Sequence, residues 1–222
     1  MLEMVILWII LTLAASAAIA YLGERYGPGI IVGTFAGLIV MAQILANKIV
    51  TFLGFTVPAA VIVYGTSFFL TDVLAEFHGK KKAKEAVWSG FLASLVLIVA
   101  IQIAIVWEPA GFWKGQQAFE QTLGMTWRIV LASLAAYVVS QNWDVSLFHY
   151  IKEKTNGKHL WLRNLSSTLS SQAIDTFIFI TIAYFGQMPI IPLIIGQYIV
   201  KLIIAALDTP FIYVVKFAKR EV

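Results

Sequence analysis

Seven long apolar stretches dominate the chain: Met4–Leu22, Ile30–Phe52, Val57–Glu76, Val87–Trp107, Met125–Phe148, Leu169–Phe185 and Pro189–Val215. A bilayer core of about 30 Å needs roughly 20 apolar residues in a helix, and each stretch approaches or exceeds that length. The breaks between them carry loop chemistry: Gly-Glu-Arg-Tyr-Gly-Pro-Gly at 23–29, Gly54, the run from His78 to Lys84, Glu108-Pro109, the polar stretch 152–164, and Gly186 to Pro189. Composition points the same way. The 222 residues are 60% hydrophobic and 13% charged, whereas soluble domains are about 45–50% apolar and about 25% charged. Disordered chains, nucleic-acid-binding domains and most soluble enzymes are excluded. With no cysteine in the chain, disulfides, thiolate metal sites and cysteine nucleophiles are excluded too.

The expected fold is all-α: a polytopic membrane bundle of about seven transmembrane helices, forming one domain over 1–222. The first stretch reads as a span, not a signal peptide, because Glu3 stands where a basic n-region belongs and the apolar run is too long. The positive-inside rule orients the rest. Lys80, Lys81, Lys82 and Lys84, then Lys152, Lys154, Lys158 and Arg163, then Lys216, Lys219 and Arg220 fall in alternate breaks, and Arg25 joins them. This predicts an outside N-terminus and a cytoplasmic C-terminus in a multi-pass protein of the cell membrane. The lysine runs read as topogenic charge, not as a nucleic-acid surface.

Polar residues inside the spans carry the functional signal. A charge at the bilayer centre costs about 2.5–3.5 kcal/mol on the insertion scale, so it faces a partner or a wet cavity. The second stretch carries Gln43, Asn47 and Lys48, the third Asp72 and Glu76, the fifth Gln141, Asn142 and Asp144, the sixth Ser171, Gln172 and Asp175, and the seventh Gln197, Lys201 and Asp208. Asp72 and Glu76 share a helical face at i, i+4. Tyr137, Gln141 and Asp144 make a stripe, as do Thr168, Ser171, Gln172 and Asp175. Gln197, Lys201 and Asp208 line one side of the last helix. Stripes on five helices would converge on a polar cavity. Asp175 and Lys201 lie near the midplane and make the expected ion pair. Tyr64, Phe68, Phe69, Tyr137, Trp143 and Tyr198 lie on or beside the stripes. Carboxylates and amides read the edges of a planar heterocycle, and aromatic rings stack on its face. Ala14, Ser16 and Ala18 read as a small-residue face for helix packing or for docking a second membrane subunit.

Several blocks resemble a known family. Ala46-Asn47-Lys48-Ile49, Pro58 to Gly79 with its core Phe-Phe-Leu-Thr-Asp-Val-Leu-Ala-Glu (68–76), and Ala136 to Thr176 with Gln141, Asp144, His149, Trp161, Arg163, Ser170 and Asp175 are similar to the queuosine-precursor transporter (VUT) family. Lys201 and Pro210 match as well. The resemblance covers about residues 30–217 and leaves the first helix, about 4–22, outside a six-helix core. It implies import of 7-deazaguanine-type bases and a core similar to the substrate-capture subunits of energy-coupling vitamin transporters. The candidate substrate-binding residues are Asn47, Asp72, Glu76, Gln141, Asp144, Gln172, Asp175, Gln197 and Lys201; at Gln197 some family members carry Asp. No catalytic residue, metal or cofactor is expected. A Walker motif, His-Glu-x-x-His, paired Gly-x-Gly-Asp and an aspartate-rich diphosphate motif are all missing from the sequence, so any ATP would be used by a partner. The alternative is the substrate-binding subunit of an energy-coupling vitamin transporter. Expected partners are a small 7-deazapurine base, the lipid bilayer, and a second copy or an energy-coupling subunit, with no nucleic acid.

Overall fold

The structure, a computed structural model, describes the backbone of residues 2–156 and 160–218, and side chains chiefly over 14–156 and 165–204. Within these, α1 is Leu2–Tyr26, α2 Gly29–Leu45, α3 Val61–Val73, α4 Lys80–Val106, α5 Gln116–Leu123, α6 Thr126–Lys154, α7 Leu160–Tyr184 and α8 Ile190–Ala218. A hairpin of β1 (Ile49–Phe52) and β2 (Phe55–Pro58) separates α2 from α3. The seven apolar stretches correspond in order to the seven long helices. Two runs, Lys80–Val106 and Gln116–Ile151, are long and apolar enough to cross a membrane, and Gly29–Leu45 and Ile190–Ile204 are shorter apolar helices.

The chain reverses at two ends. At the hairpin end lie the β-strands, α5 and the α7–α8 turn. At the lysine end lie the α1–α2 turn, Gly79 with the lysines that open α4, the last residues of α6 and the first of α7. Gly79 adopts φ 83°, a conformation that side chains resist, and this divides α3 from α4. The helices pack as a closed set: α6 lies along α7, α2 against α4, and α3 against α1, α2 and α8.

The hairpin corrects the expected spans. Ile30–Phe52 and Val57–Glu76 read as unbroken helices, yet α2 stops at Leu45 and α3 begins at Val61. The intervening residues Ile49, Val50, Thr51, Thr56 and Val57 are β-branched and favour extended backbone. Leu53 (φ 50°) and Gly54 (φ 85°) make a two-residue turn with both residues in the left-handed region, joining Phe52 to its partner Phe55; this is the chirality that tight hairpins prefer. The strands pack against the first half of α8. Phe52, Val57 and Val61 form a cluster with Val200 and Ile204, while Gly54, Phe55 and Thr56 face Ile191, Pro192, Ile195 and Gly196.

Other boundaries also move. α4 and α7 extend through parts of the polar stretches 78–84 and 152–164 that read as breaks. α5 is an added short helix, fastened to the end of α4 by Gln116 Nε2 donating to Ile105 O at 2.8 Å. In α1, Ser16 is buried while Ala14 and Ala18 are exposed. Two residues subtend about 200° on a helix, so Ser16 does not share the alanine face.

Two apolar clusters divide the interior. One occupies the lysine-end half, where Ala20, Ile31, Phe35, Phe69, Leu70, Leu74 and Ala86 join α1, α2, α3 and α4. The other occupies the hairpin-end half: Ala42, Ala46, Ala60, Ile129, Ala132, Ala136, Phe179, Ile180, Ala183, Tyr184 and Leu193. Its alanines let helices approach closely.

Candidate functional site

A cavity of about 260 Å³ opens inside the bundle, walled by α2, α3, α4, α6, α7 and α8. That is slightly under the roughly 300–1,000 Å³ of drug-sized sites, so it suits one small ring system. The polar wall consists of Ser67 and Thr71 from α3, Ser133, Tyr137, Ser140 and Gln141 from α6, Gln172 and Asp175 from α7, and Lys201 from α8. Phe35, Ile39, Val87, Phe91, Ala136 and Phe179 supply the apolar wall.

The centre of the polar wall is an ion pair. Lys201 Nζ donates to Asp175 Oδ2 at 2.5 Å, and Ser140 Oγ lies 3.4 Å from Asp175 Oδ1. A charge buried in such surroundings is stable only when paired. The pair joins α7 to α8, and Ser140 adds α6. Gln172 Oε1 is buried without a hydrogen-bond partner, so the wall keeps an unused acceptor. Gln141 is exposed and marks the mouth on α6. Beside it Tyr137 meets Phe91 edge to face, centroids 4.9 Å apart at 86°, where α6 passes α4.

The hairpin side of the cavity is closed. Ala136 and Phe179 belong to both the cluster and the cavity wall, and from there the cluster extends toward the hairpin end: Ala42 and Ala46 beyond Phe35 and Ile39 on α2, Ile129 and Ala132 beyond Tyr137 and Gln141 on α6, Ala183 and Tyr184 beyond Gln172 and Asp175 on α7, and Leu193 beyond Lys201 on α8. Hydrogen bonds reinforce this end. Tyr184 Oη donates to Ala46 O at 2.7 Å. Arg128 donates through Nε to Ile182 O and through Nη2 to Phe185 O, at 2.5 and 2.7 Å, satisfying carbonyls that the end of α7 leaves open.

Of the candidates, Gln141, Gln172, Asp175 and Lys201 stand together at the cavity. Asp144 is one step away, accepting from Ser171 Oγ at 3.2 Å. Gln197 is buried on α8 without lining the cavity. Asn47 is displaced: the helix expected to carry it ends at Leu45, and its amide donates to Gln43 O, Ile44 O and Thr126 Oγ1 at 3.2, 3.1 and 3.0 Å. It closes the end of α2 and ties it to α6. Asp72 is exposed beside the lining residue Thr71, and a π-turn at Leu74–His78 interrupts the α-helical register assumed for Asp72 and Glu76. The side chains of Glu76, Asp208, Tyr64, Phe68, Trp161 and Arg163 lie outside those described. Tyr198 Oη donates to Leu169 O at 3.3 Å, and Trp143 Nε1 to Ser170 Oγ at 3.0 Å; neither lines the cavity. Phe69 belongs to the lysine-end cluster.

Sequence reasoning missed Ser133 and Ser140. Ser140 falls within the Tyr137–Gln141 stripe, three residues after Tyr137, and Ser133 lies one turn before it. It also missed α4, whose contributions Val87 and Phe91 are apolar and indistinguishable in sequence from a lipid-facing surface.

Comparison with known proteins identifies the family. The family described as "Putative vitamin uptake transporter" matches residues 58–215, well over half the chain. The chain belongs to this family. It is accordingly a membrane transporter, not an enzyme. Among curated relatives, the "Probable queuosine precursor transporter" of Bacillus subtilis (strain 168) is 36% identical over 181 residues, covering 80% of this chain and 79% of the relative. The "Queuosine precursor transporter" of Escherichia coli (strain K12) is 25% identical over 147 residues, 66% of this chain and 64% of the relative. The "Probable queuosine precursor transporter" of Haemophilus influenzae is 29% identical over 118 residues, 53% of this chain and 48% of the relative. No solved structure matches the chain.

Proposed function

We propose that the protein imports a queuosine precursor, a 7-deazaguanine-type base, across the cell membrane through the central cavity. The observation that carries this reading is the Asp175–Lys201 pair set among amides, hydroxyls and rings in a space sized for one heterocycle. A carboxylate oxygen has lone pairs beyond the one that Lys201 takes, so Asp175 accepts from the N–H edge of the base. Gln141 and Gln172 read the remaining donors and acceptors. Phe91, Tyr137 and Phe179 supply ring faces, worth about 1–3 kcal/mol per stacked base. Lys201 balances the charge. Asp72 and Asp144 belong to the lysine-end approach to the cavity.

In this reading residues 1–222 form one multi-pass membrane domain, a six-helix core plus α1. The lysine end is cytoplasmic by the positive-inside rule and the hairpin end is outside. The cavity is then closed toward the outside by the alanine-rich cluster. The family's description as vitamin uptake transporters favours a second reading, a substrate-capture subunit driven by an energy-coupling complex, with exposed Ala14 and Ala18 of α1 as the docking face.

Uptake of labelled 7-deazaguanine base by cells lacking its synthesis tests the first reading. Uptake should depend on the chain and fall to background in Asp175→Asn; wild-type uptake by that variant would remove the site. Purified protein in liposomes separates the two readings: accumulation without any partner supports the self-sufficient carrier, and a strict requirement for a second membrane subunit and ATP supports the alternative.

A further inference from the structure

Gln197 is the polar side chain that the cavity does not account for. It is 2% exposed, and both Oε1 and Nε2 lack a hydrogen-bond partner. A carboxamide buried in that state destabilises the fold, because neither atom recovers the hydration it lost. Such a group marks a place where a ligand, a water or an ion can be taken up.

Its position points to the user. Leu193, Gln197 and Lys201 follow one another at four-residue intervals and so share one stripe of α8. Leu193 belongs to the apolar cluster that closes the hairpin end, and Lys201 lines the cavity. Gln197 therefore sits at the boundary between them. On α7, the helix joined to α8 by the Asp175–Lys201 pair, Thr176 is 0% exposed with an unpartnered Oγ1, one turn beyond the unpartnered Oε1 of Gln172. Unused hydrogen-bonding capacity thus runs from the cavity wall toward the closed end. The closure beyond it is rich in alanine, with Ala46, Ala132 and Ala183 among its members. Parting helices at small side chains exposes little apolar area per residue.

We propose that Gln197 is a second recognition station for the transported base, one turn of α8 nearer the hairpin end than Asp175, used when the alanine-rich closure parts. This rests on the transport reading given above. A carboxamide presents an acceptor and a donor side by side, the complement of a heterocycle edge in which an N–H adjoins an acceptor. The station selects for that edge and pairs both Gln197 atoms only while the base passes. Asp175, an acceptor of N–H groups, holds the base in the cavity itself.

The test replaces Gln197 by the apolar, near-isosteric Met in the full chain. Removing an unpaired buried carboxamide should raise the melting temperature in detergent by about 2–4 °C. Binding of a 7-deazaguanine base to the purified variant should stay close to wild type, since Gln197 does not line the resting cavity. Uptake by cells should fall by about tenfold, the worth of a lost hydrogen bond during passage. Wild-type uptake by Gln197→Met would overturn the station. So would a lowered melting temperature together with lost uptake, because the carboxamide would then be holding the fold. Absence of uptake by the wild-type chain would instead sink the transport reading, and the station with it.

Discussion

Lys201 and Asp175 meet at 2.5 Å across the α7–α8 seam, the ammonium side chain only 4% exposed and the carboxylate 24% exposed toward the cavity. Removing the carboxylate takes its close counter-charge away from the more buried ammonium group. Asp175→Asn should therefore destabilise the protein by about 3 kcal/mol, read from melting in detergent. Lys201→Met should be milder, because the surviving carboxylate borders the cavity. The double variant should recover most of the lost stability while base binding stays absent, separating the structural share of the pair from its share in recognition.

Gly196 allows the hairpin to lie on α8. A Cβ there would stand 2.2 Å from Thr56 O and 3.0 and 3.1 Å from its carbonyl carbon and nitrogen. All three are backbone atoms, so no side chain can turn aside. Gly196→Ala should cost about 2 kcal/mol of stability through this overpacking. Gly37→Ala, where a Cβ meets nothing within 4 Å, is the matched control and should be neutral or stabilising in the helix interior.

These two sites mark where the sequence was legible and where it was not. Period and depth sufficed to bring Asp175 and Lys201 together, because a charge deep in an apolar run must find its opposite. The long helices follow from the same apolar runs. The hairpin did not stand out, since a β-branched apolar run reads equally well as helix when length is the criterion. Its signal was local: Leu53-Gly54 between two phenylalanines, a two-residue turn inside an apolar stretch. Asn47 misled for a related reason. Helical counting placed it inside a span, whereas the helix ends just before it and its amide is used to close that end. Asp72 was projected onto the interior with Glu76, but Asp72 is exposed and the π-turn that follows breaks the α-helical spacing between the two, which no residue spacing announces. Phe91 was invisible because lipid and an apolar cavity wall select the same side chain.

Asn47 yields a prediction that distinguishes scaffold from ligand. Its bonds to Gln43 O, Ile44 O and Thr126 Oγ1 make it structural, so Asn47→Ala should lower stability by about 1–2 kcal/mol. Affinity of the purified variant for a 7-deazaguanine base should remain near wild type. A selective loss of affinity with unchanged melting would place Asn47 at the ligand.

The aromatic edge of the cavity makes a complementary prediction. Tyr137 packs against Phe91 and lines the cavity. Tyr137→Leu should weaken base binding by about tenfold, near the lower end of the 1–3 kcal/mol that a stacked ring contributes, while Tyr137→Phe keeps the ring and should stay close to wild type. Equal losses in the two variants would assign the contribution to the hydroxyl.

Equilibrium binding of a 7-deazaguanine base to the detergent-purified full-length protein bears most directly on the cavity as a carrier site. Saturable binding at one site per chain, displaced weakly by unrelated vitamins and abolished in Asp175→Asn, is the predicted result. Saturable binding that Asp175→Asn leaves intact, or no binding of any such base to folded protein, would contradict it.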